Sequence, residues 1–158
     1  MRLTLEQFRA LTGVGKKEKK PVAIAGGYRS RWRGTETIGG KTCNFRSLWE
    51  YNYACYLQFL KSNGKIHDWL FEPQNFQFPM IYKTTPFGYL PDFKVYITPT
   101  KYEWHETKGW LSPRSKKKIK RFHKHYPQEG QIVLIGADWF KKNTPTLSRL
   151  VPGWKKLS

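Results

Sequence analysis

Three residues in this chain have the types and spacing to act on a phosphodiester: Asp92, Glu106 and Lys108. Pro91-Asp92 is followed, fourteen positions after the aspartate, by Glu106-Thr107-Lys108-Gly109. Side chains alternate along a strand, so Glu106 and Lys108 point to one face, with Trp104 and Tyr102 behind them. Phe93, Val95 and Ile97 make a second alternating run directly after Asp92, and Thr98-Pro99-Thr100 reads as the turn between the two. Paired as a hairpin, the runs would bring two carboxylates and one ammonium to one edge of a sheet. Two carboxylates can hold a hard divalent cation, and a lysine beside them can orient or deprotonate a water. That is equipment for metal-assisted hydrolysis. The competing reading of Glu106 and Lys108 is an ion pair on a solvated edge strand.

The elements that must position these groups are partly legible. Thr4 to Leu11 reads as a short helix, with Leu5, Phe8 and Leu11 as its apolar stripe. The following GVGKKEKKP reads as a basic arm. GTETI-GG-KTCNF has the form of a hairpin, Gly39-Gly40 supplying the positive φ of a two-residue turn. A helix is expected from about Ser47 to Ser62, closed by Asn63-Gly64, with Trp49, Tyr53, Tyr56, Leu57 and Leu60 on its inward stripe. Ser47-x-x-Glu50 is a capping-box pattern, in which the glutamate reaches back to the Ser47 amide. Ile66 to Phe78 reads as a bent strand or two short ones, broken near Glu72-Pro73. Ser112-Pro113 opens a second helix through about His125, whose only apolar stripe is Ile119, Phe122 and Tyr126. A short strand is expected at Ile132 to Ile135. The stretch from Asp138, with Pro145 and Pro152, reads as an irregular wrap or a short helix.

At 158 residues the chain is most simply one domain. Twenty-nine Lys and Arg against eleven Asp and Glu leave a net charge of +18, which favours a polyanionic partner. An aromatic content of 16% is far above that of a disordered basic tail, so the chain folds. No apolar run approaches the roughly 18–20 residues of a membrane-spanning helix, and the opening MRLTLEQFRAL does not read as a signal peptide. Cys43 and Cys55 lack partner ligands at metal spacing and are read as reduced, small core or near-surface fillers. A cytoplasmic location is the expectation. His105, on the strand face opposite Glu106, reads as a wall or packing residue. His123 and His125 read as solvated or phosphate-facing.

The ordered residues carry a family resemblance. Pro91-Asp92 with Glu106-Thr107-Lys108 resembles the motif of the PD-(D/E)xK nucleases, the restriction-endonuclease-like superfamily. Arg46-Ser47-Leu48-Trp49-Glu50, then Phe71-Glu72, then Tyr89-Leu90-Pro91-Asp92-Phe93, then Glu106 to Trp110 running into a basic helix, are similar in order to phage endonuclease I-type Holliday junction resolving enzymes. The resemblance covers roughly Phe45 to Ile135. It implies an α/β fold with an αβββαβ core, a mixed central sheet flanked by helices. The division that follows is an N-terminal helix, arm and hairpin over 1–44, a nuclease core over 45–136 and a tail packed on it over 137–158.

The resemblance further implies that Asp92, Glu106 and the backbone carbonyl of Thr107 ligate Mg2+ or Mn2+. Glu50 becomes a site residue that anchors a second ion or a metal-bound water, and Lys108 contacts the attacking water. The products would carry 5′-phosphate and 3′-hydroxyl ends. The implied partner is DNA, branched or otherwise distorted, held through phosphates by Arg29, Arg31, Arg33, Arg46, Arg114, Lys116, Lys117, Lys120, Arg121 and Lys124. Two strand breaks per event would favour a homodimer. Two alternatives stay open: a nuclease of the same fold acting at transposon ends or a specific site, and a non-catalytic basic nucleic-acid-binding protein.

Overall fold

The computed structural model describes residues 32–156; the expected N-terminal helix and basic arm, Arg29 and Arg31 lie outside them. The described chain starts with the expected hairpin. Strands β1 (Gly34–Ile38) and β2 (Lys41–Phe45) pair antiparallel with Ile38 opposite Lys41. Gly39 and Gly40 turn the chain at φ of 57° and 79°, a region costly for any residue with a Cβ. Helix α1 (Leu48–Ser62) follows, with the Ser47 hydroxyl accepting the Glu50 N–H at 3.2 Å and Asn63 closing the other end. Its inward face is wider than the expected stripe, since every residue from Leu48 to Leu57 except Trp49 is buried.

The central sheet runs β3 (Asp68–Phe71), β6 (Phe93–Tyr96), β7 (Tyr102–Thr107), β8 (Ile132–Ile135). The first three strands are antiparallel neighbours, and β8 lies parallel to β7. The parallel pair requires a crossover, and helix α2 (Pro113–His125) supplies it. Ser112 caps α2, its hydroxyl accepting the Ser115 N–H at 3.1 Å ahead of Pro113 in the first turn. A mixed sheet flanked by helices is therefore what the chain forms.

The break after β3 sits where Glu72 adopts φ 45°, in the left-handed region, ahead of Pro73. The next two residues to pair, β4 (Phe76–Gln77), join β5 (Gly88–Tyr89) in a separate two-stranded ladder. Gly88 is required there by close approach: a Cβ would lie 2.9 Å from the Phe76 carbonyl oxygen.

The alternation of β7 divides the interior in two. His105 faces α1, where its Nδ1 lies 2.8 Å from the Tyr53 hydroxyl, and this side holds Phe45, Leu57, Trp69, Phe93, Val95 and Ile135. Trp104 faces the other way, into Phe76, Phe78, Tyr89, Phe122 and Ile132 beneath α2. Cys43 and Cys55 are free and buried in the first of these clusters, the core alternative of their reading.

Of the two readings of the stretch from Asp138, an irregular wrap or a short helix, the structure takes the helix. Residues Ala137–Leu150 form helix α3, which continues through Pro145. Trp139 and Phe140 in its first turn are buried against Tyr53, Tyr56 and Trp49, and that burial outweighs the helix-breaking cost of the proline downstream. Beyond α3, Asn52 brackets Lys155, donating to its carbonyl at 2.8 Å and accepting its N–H at 2.9 Å. No helix among the described residues is long and apolar enough to cross a membrane.

Candidate active site

Asp92 enters β6 and Glu106 closes β7, so the antiparallel pairing of these strands sets the two carboxylates side by side at one end of the sheet. Each is anchored by one oxygen. Asp92 Oδ2 accepts both the N–H and the hydroxyl of Thr107, each at 2.9 Å. Glu106 Oε2 accepts the Tyr89 hydroxyl at 2.5 Å. The second oxygen of each faces a cation beyond hydrogen-bonding range: Asp92 Oδ1 lies 3.9 Å from Arg46 Nη2, and Glu106 Oε1 lies 3.8 Å from Lys118 Nζ. Glu50 repeats the pattern from α1, its Oε2 accepting the Arg46 N–H at 2.8 Å. The capping glutamate thus reaches one residue further back than the Ser47 amide expected for it.

These groups line one cavity of about 440 Å3, together with Arg46, Gln77, Lys108 and Arg114. Solvent reaches the free carboxylate oxygens, because the only buried side-chain nitrogen or oxygen without a partner among the described residues is Trp139 Nε1. A larger hollow, about 880 Å3, opens at the opposite end of β6 and β7 beside the Thr98–Lys101 turn. Glu129 there already accepts from Tyr102 and Trp104, and Glu103 is 3.1 Å from His105 Nε2. Size is a poor guide here: the smaller cavity is the one that gathers Glu50, Asp92, Glu106 and Lys108.

The electrostatics of the smaller cavity are those of crowded negative charge. Burial and the neighbouring Asp92 push the Glu106 carboxyl up to about 7. Burial raises Asp92 too, against the opposing hydrogen bonds from Thr107. Glu50 is raised by burial and by Asp92. Burial in turn lowers Lys118, despite the Glu106 carboxylate beside it. An added positive charge would favour the ionised form of the three carboxyls, whereas an anion would favour the charged form of Lys118.

The resemblance implies a hard divalent cation, and the donors present bear on it directly. Asp92 and Glu106 each offer one oxygen with no hydrogen bond, the hard donor type that Mg2+ and Mn2+ select. Among the described residues, no three His, Cys, Asp or Glu side chains form a group that could hold a metal ion. Glu50 therefore lines the cleft without completing a three-carboxylate cage. The donor set fits a cation held by two carboxylates, with backbone oxygen and water completing its shell.

Of the cations expected to meet phosphates, Arg46 and Arg114 line the cavity, while Lys116, Lys117, Lys120 and Lys124 are exposed on α2. Arg33 is exposed beside β1. Arg121 is turned inward instead, donating to the carbonyls of Thr84 at 2.8 Å and Pro86 at 2.5 Å. Its position one residue before the buried Phe122 puts it on the sheet-facing side of α2, where a guanidinium must find acceptors. His123 and His125 are likewise not solvated groups. His123 Nε2 accepts the Ile132 N–H at 3.0 Å, and His125 Nε2 lies 2.6 Å from the Tyr82 hydroxyl.

Sequence reasoning missed Lys118 and Tyr89. Lys118 lies four residues before Phe122, on the same helical face, which is the signal that could have found it. Tyr89 had no such signal, since its strand is only two residues long.

A family model described as "Protein of unknown function (DUF1064)" matches residues 29–139, so the chain belongs to that family. No curated protein and no solved structure matches the chain.

Proposed function

We infer that this member of the DUF1064 family is a divalent-metal-dependent DNA endonuclease with a restriction-endonuclease-like core, acting on branched or distorted duplex. The observation that carries the reading is the pair Asp92 and Glu106. Each is tied down by one oxygen and open at the other, in a cavity that also contains Lys108 and Lys118. The cations that face the open oxygens, Arg46 at 3.9 Å and Lys118 at 3.8 Å, stand off from them, unlike Lys41 and Lys61, which close on Asp68 at 3.0 and 2.9 Å. Here burial is tolerated although it raises both carboxyls, and such perturbed groups concentrate at functional sites.

Asp92, Glu106 and the Thr107 carbonyl would hold Mg2+ or Mn2+, which when bound supplies Lewis-acid stabilisation of charge on the phosphate. The chain's own residues do the rest. Thr107 fixes the Asp92 carboxylate through two donors, and Tyr89 fixes Glu106 through one. Lys108 contacts and orients the attacking water, and Lys118 neutralises charge on the phosphate from the helix side. Glu50 accepts a hydrogen bond from a water in the cleft while its other oxygen caps α1. Exposed Lys116, Lys117, Lys120 and Lys124 hold flanking phosphates.

The test is incubation of supercoiled plasmid with the protein in Mg2+, with and without chelator. Nicked or linear product that disappears in chelator is the expected result. Binding without product in either condition would return the protein to the class of basic nucleic-acid-binding factors.

A further inference from the structure

Between β4 and β5 the chain makes an excursion from Pro79 to Pro86, closed at its base by the Phe78 N–H donating to the Phe87 carbonyl at 2.8 Å. The excursion is held firmly. Arg121 donates to the carbonyls of Thr84 and Pro86, and its guanidinium lies 3.7 Å over the Tyr82 ring. Tyr82 is tied to His125, and Phe78 packs on both rings. Its turn is left bare all the same: Met80 is 99% exposed and Ile81 68% exposed. Pro86 and Phe87, at its base, line the cavity that holds Asp92 and Glu106.

A rigidly mounted pair of large apolar side chains in water marks a surface with a partner. Charge selects which partner. The excursion adjoins α2, whose Lys116, Lys117, Lys120 and Lys124 are exposed, and it carries exposed Lys83 of its own. A second copy would set this cationic surface against a chain of the same net charge, +18. DNA meets both demands, with phosphates outside for the lysines and apolar base faces inside for methionine and isoleucine.

We propose that the Met80–Ile81 turn is a wedge that enters the DNA base stack beside the phosphodiester held in the cleft, and that it selects DNA whose stack is already interrupted at a nick or branch. The proposal rests on the nuclease reading of that cleft and names the substrate feature it uses. Phosphates flanking a nick are arranged much as on intact duplex, so contacts to them discriminate poorly between those two. A wedge does better, because opening an intact step costs unstacking free energy that an interrupted step has already lost.

The test uses the full chain in chelator, so that no strand is cut. Its probes are an intact duplex, a nicked duplex and a four-way junction of matched sequence, each with 2-aminopurine at the central step, the nick or the branch. The wild type should raise 2-aminopurine fluorescence at the nick and branch and prefer those probes by on the order of tenfold. Met80→Ala/Ile81→Ala should lose both effects while binding the intact duplex within about twofold of wild type. Met80→Leu/Ile81→Leu should keep both. Both side chains are exposed, so their truncation leaves the core untouched, and matching thermal melts would exclude misfolding.

Preference and fluorescence surviving in the alanine variant, or no rise with wild type on any probe, would overturn the proposal. So would a wild-type dimer that the alanine variant converts to monomer in sedimentation, since the turn would then cover a second copy. Plasmid cleavage in Mg2+, run alongside, separates this idea from the enzymatic one. A fluorescence rise without cleavage removes the nuclease and leaves the wedge as a DNA-binding device, whereas cleavage without a rise does the reverse.

Discussion

Thr107 grips Asp92 with two donors, its N–H and its hydroxyl both reaching Oδ2 at 2.9 Å. Only the hydroxyl can be removed by substitution. Thr107→Val keeps the shape and should cost about 1 kcal/mol of stability, with cleavage falling roughly 10–100-fold as the carboxylate loses its fixed orientation. Thr107→Ser should cleave nearly as wild type. Comparing initial rates of plasmid nicking for the two variants checks this; equal activity of Val and Ser would mean that the N–H alone orients Asp92.

Lys108→Ala and Glu106→Gln should both lower cleavage by about 10²–10⁴-fold without weakening DNA binding in chelator. Neither residue faces outward onto the exposed lysine surface of α2, and both line the cleft. Gel-shift titrations run beside the cleavage assay decide the matter. A parallel loss of binding would make these residues contacts for DNA and not parts of the chemistry.

The raised Glu106 carboxyl makes a pH prediction for the metal-free protein. Its value is about 7 in the fold against 4.5 in the unfolded chain, so the native state binds more protons between those limits. Stability should therefore be greater at the acid end, fall as pH rises through this window and stay low above it, by on the order of 2 kcal/mol. Asp92 and Glu50 shift in the same direction and add to the effect. Chemical denaturation in chelator at about pH 5 and about pH 8 measures it. Glu106→Gln should flatten the dependence in part and stabilise the protein at the higher pH; a slope indifferent to that substitution would show that other groups set it.

Lysines and arginine on α2 should separate cleanly. Replacing Lys116, Lys117 and Lys120 by alanine should lower the magnitude of the slope of log K against log salt by about one unit per lost phosphate contact. Arg121→Ala should leave the slope alone and cost stability instead, about 2–3 kcal/mol, because two carbonyls lose a charged donor. Salt titrations and thermal melts of both variants are the readout. An unchanged slope in the triple variant would reduce the helix to a solvated face.

Glu50→Gln keeps an amide oxygen able to accept the Arg46 N–H, so α1 should retain its cap and stability should move by less than about 1 kcal/mol. Mg2+-dependent cleavage should nonetheless collapse if the carboxylate serves the cleft. Near-wild-type cleavage would confine the site to Asp92, Glu106 and Lys108.

Local signals in the sequence determined the elements whose chemistry is local. Gly39-Gly40 dictated a hairpin because two consecutive positive φ values exclude most other residues, and Ser47 and Ser112-Pro113 dictated two helix starts because orphan amides need a cap. Period-two alternation was enough to bring Asp92 and Glu106 to one sheet end, since strand pairing follows from the hairpin itself. Tertiary structure decided everything that depends on what lies opposite. The α2 cations look alike along the chain, yet Lys118 faces Glu106, Arg121 holds a loop and Lys120 meets water, because a 100° step per residue points each at a different surface. Pro145 left the stretch open between a wrap and a helix, and burial of Trp139 and Phe140 goes with the helix. Tyr89 reached Glu106 only because two residues of β5 paired with β4, a contact too short to leave any period in the sequence.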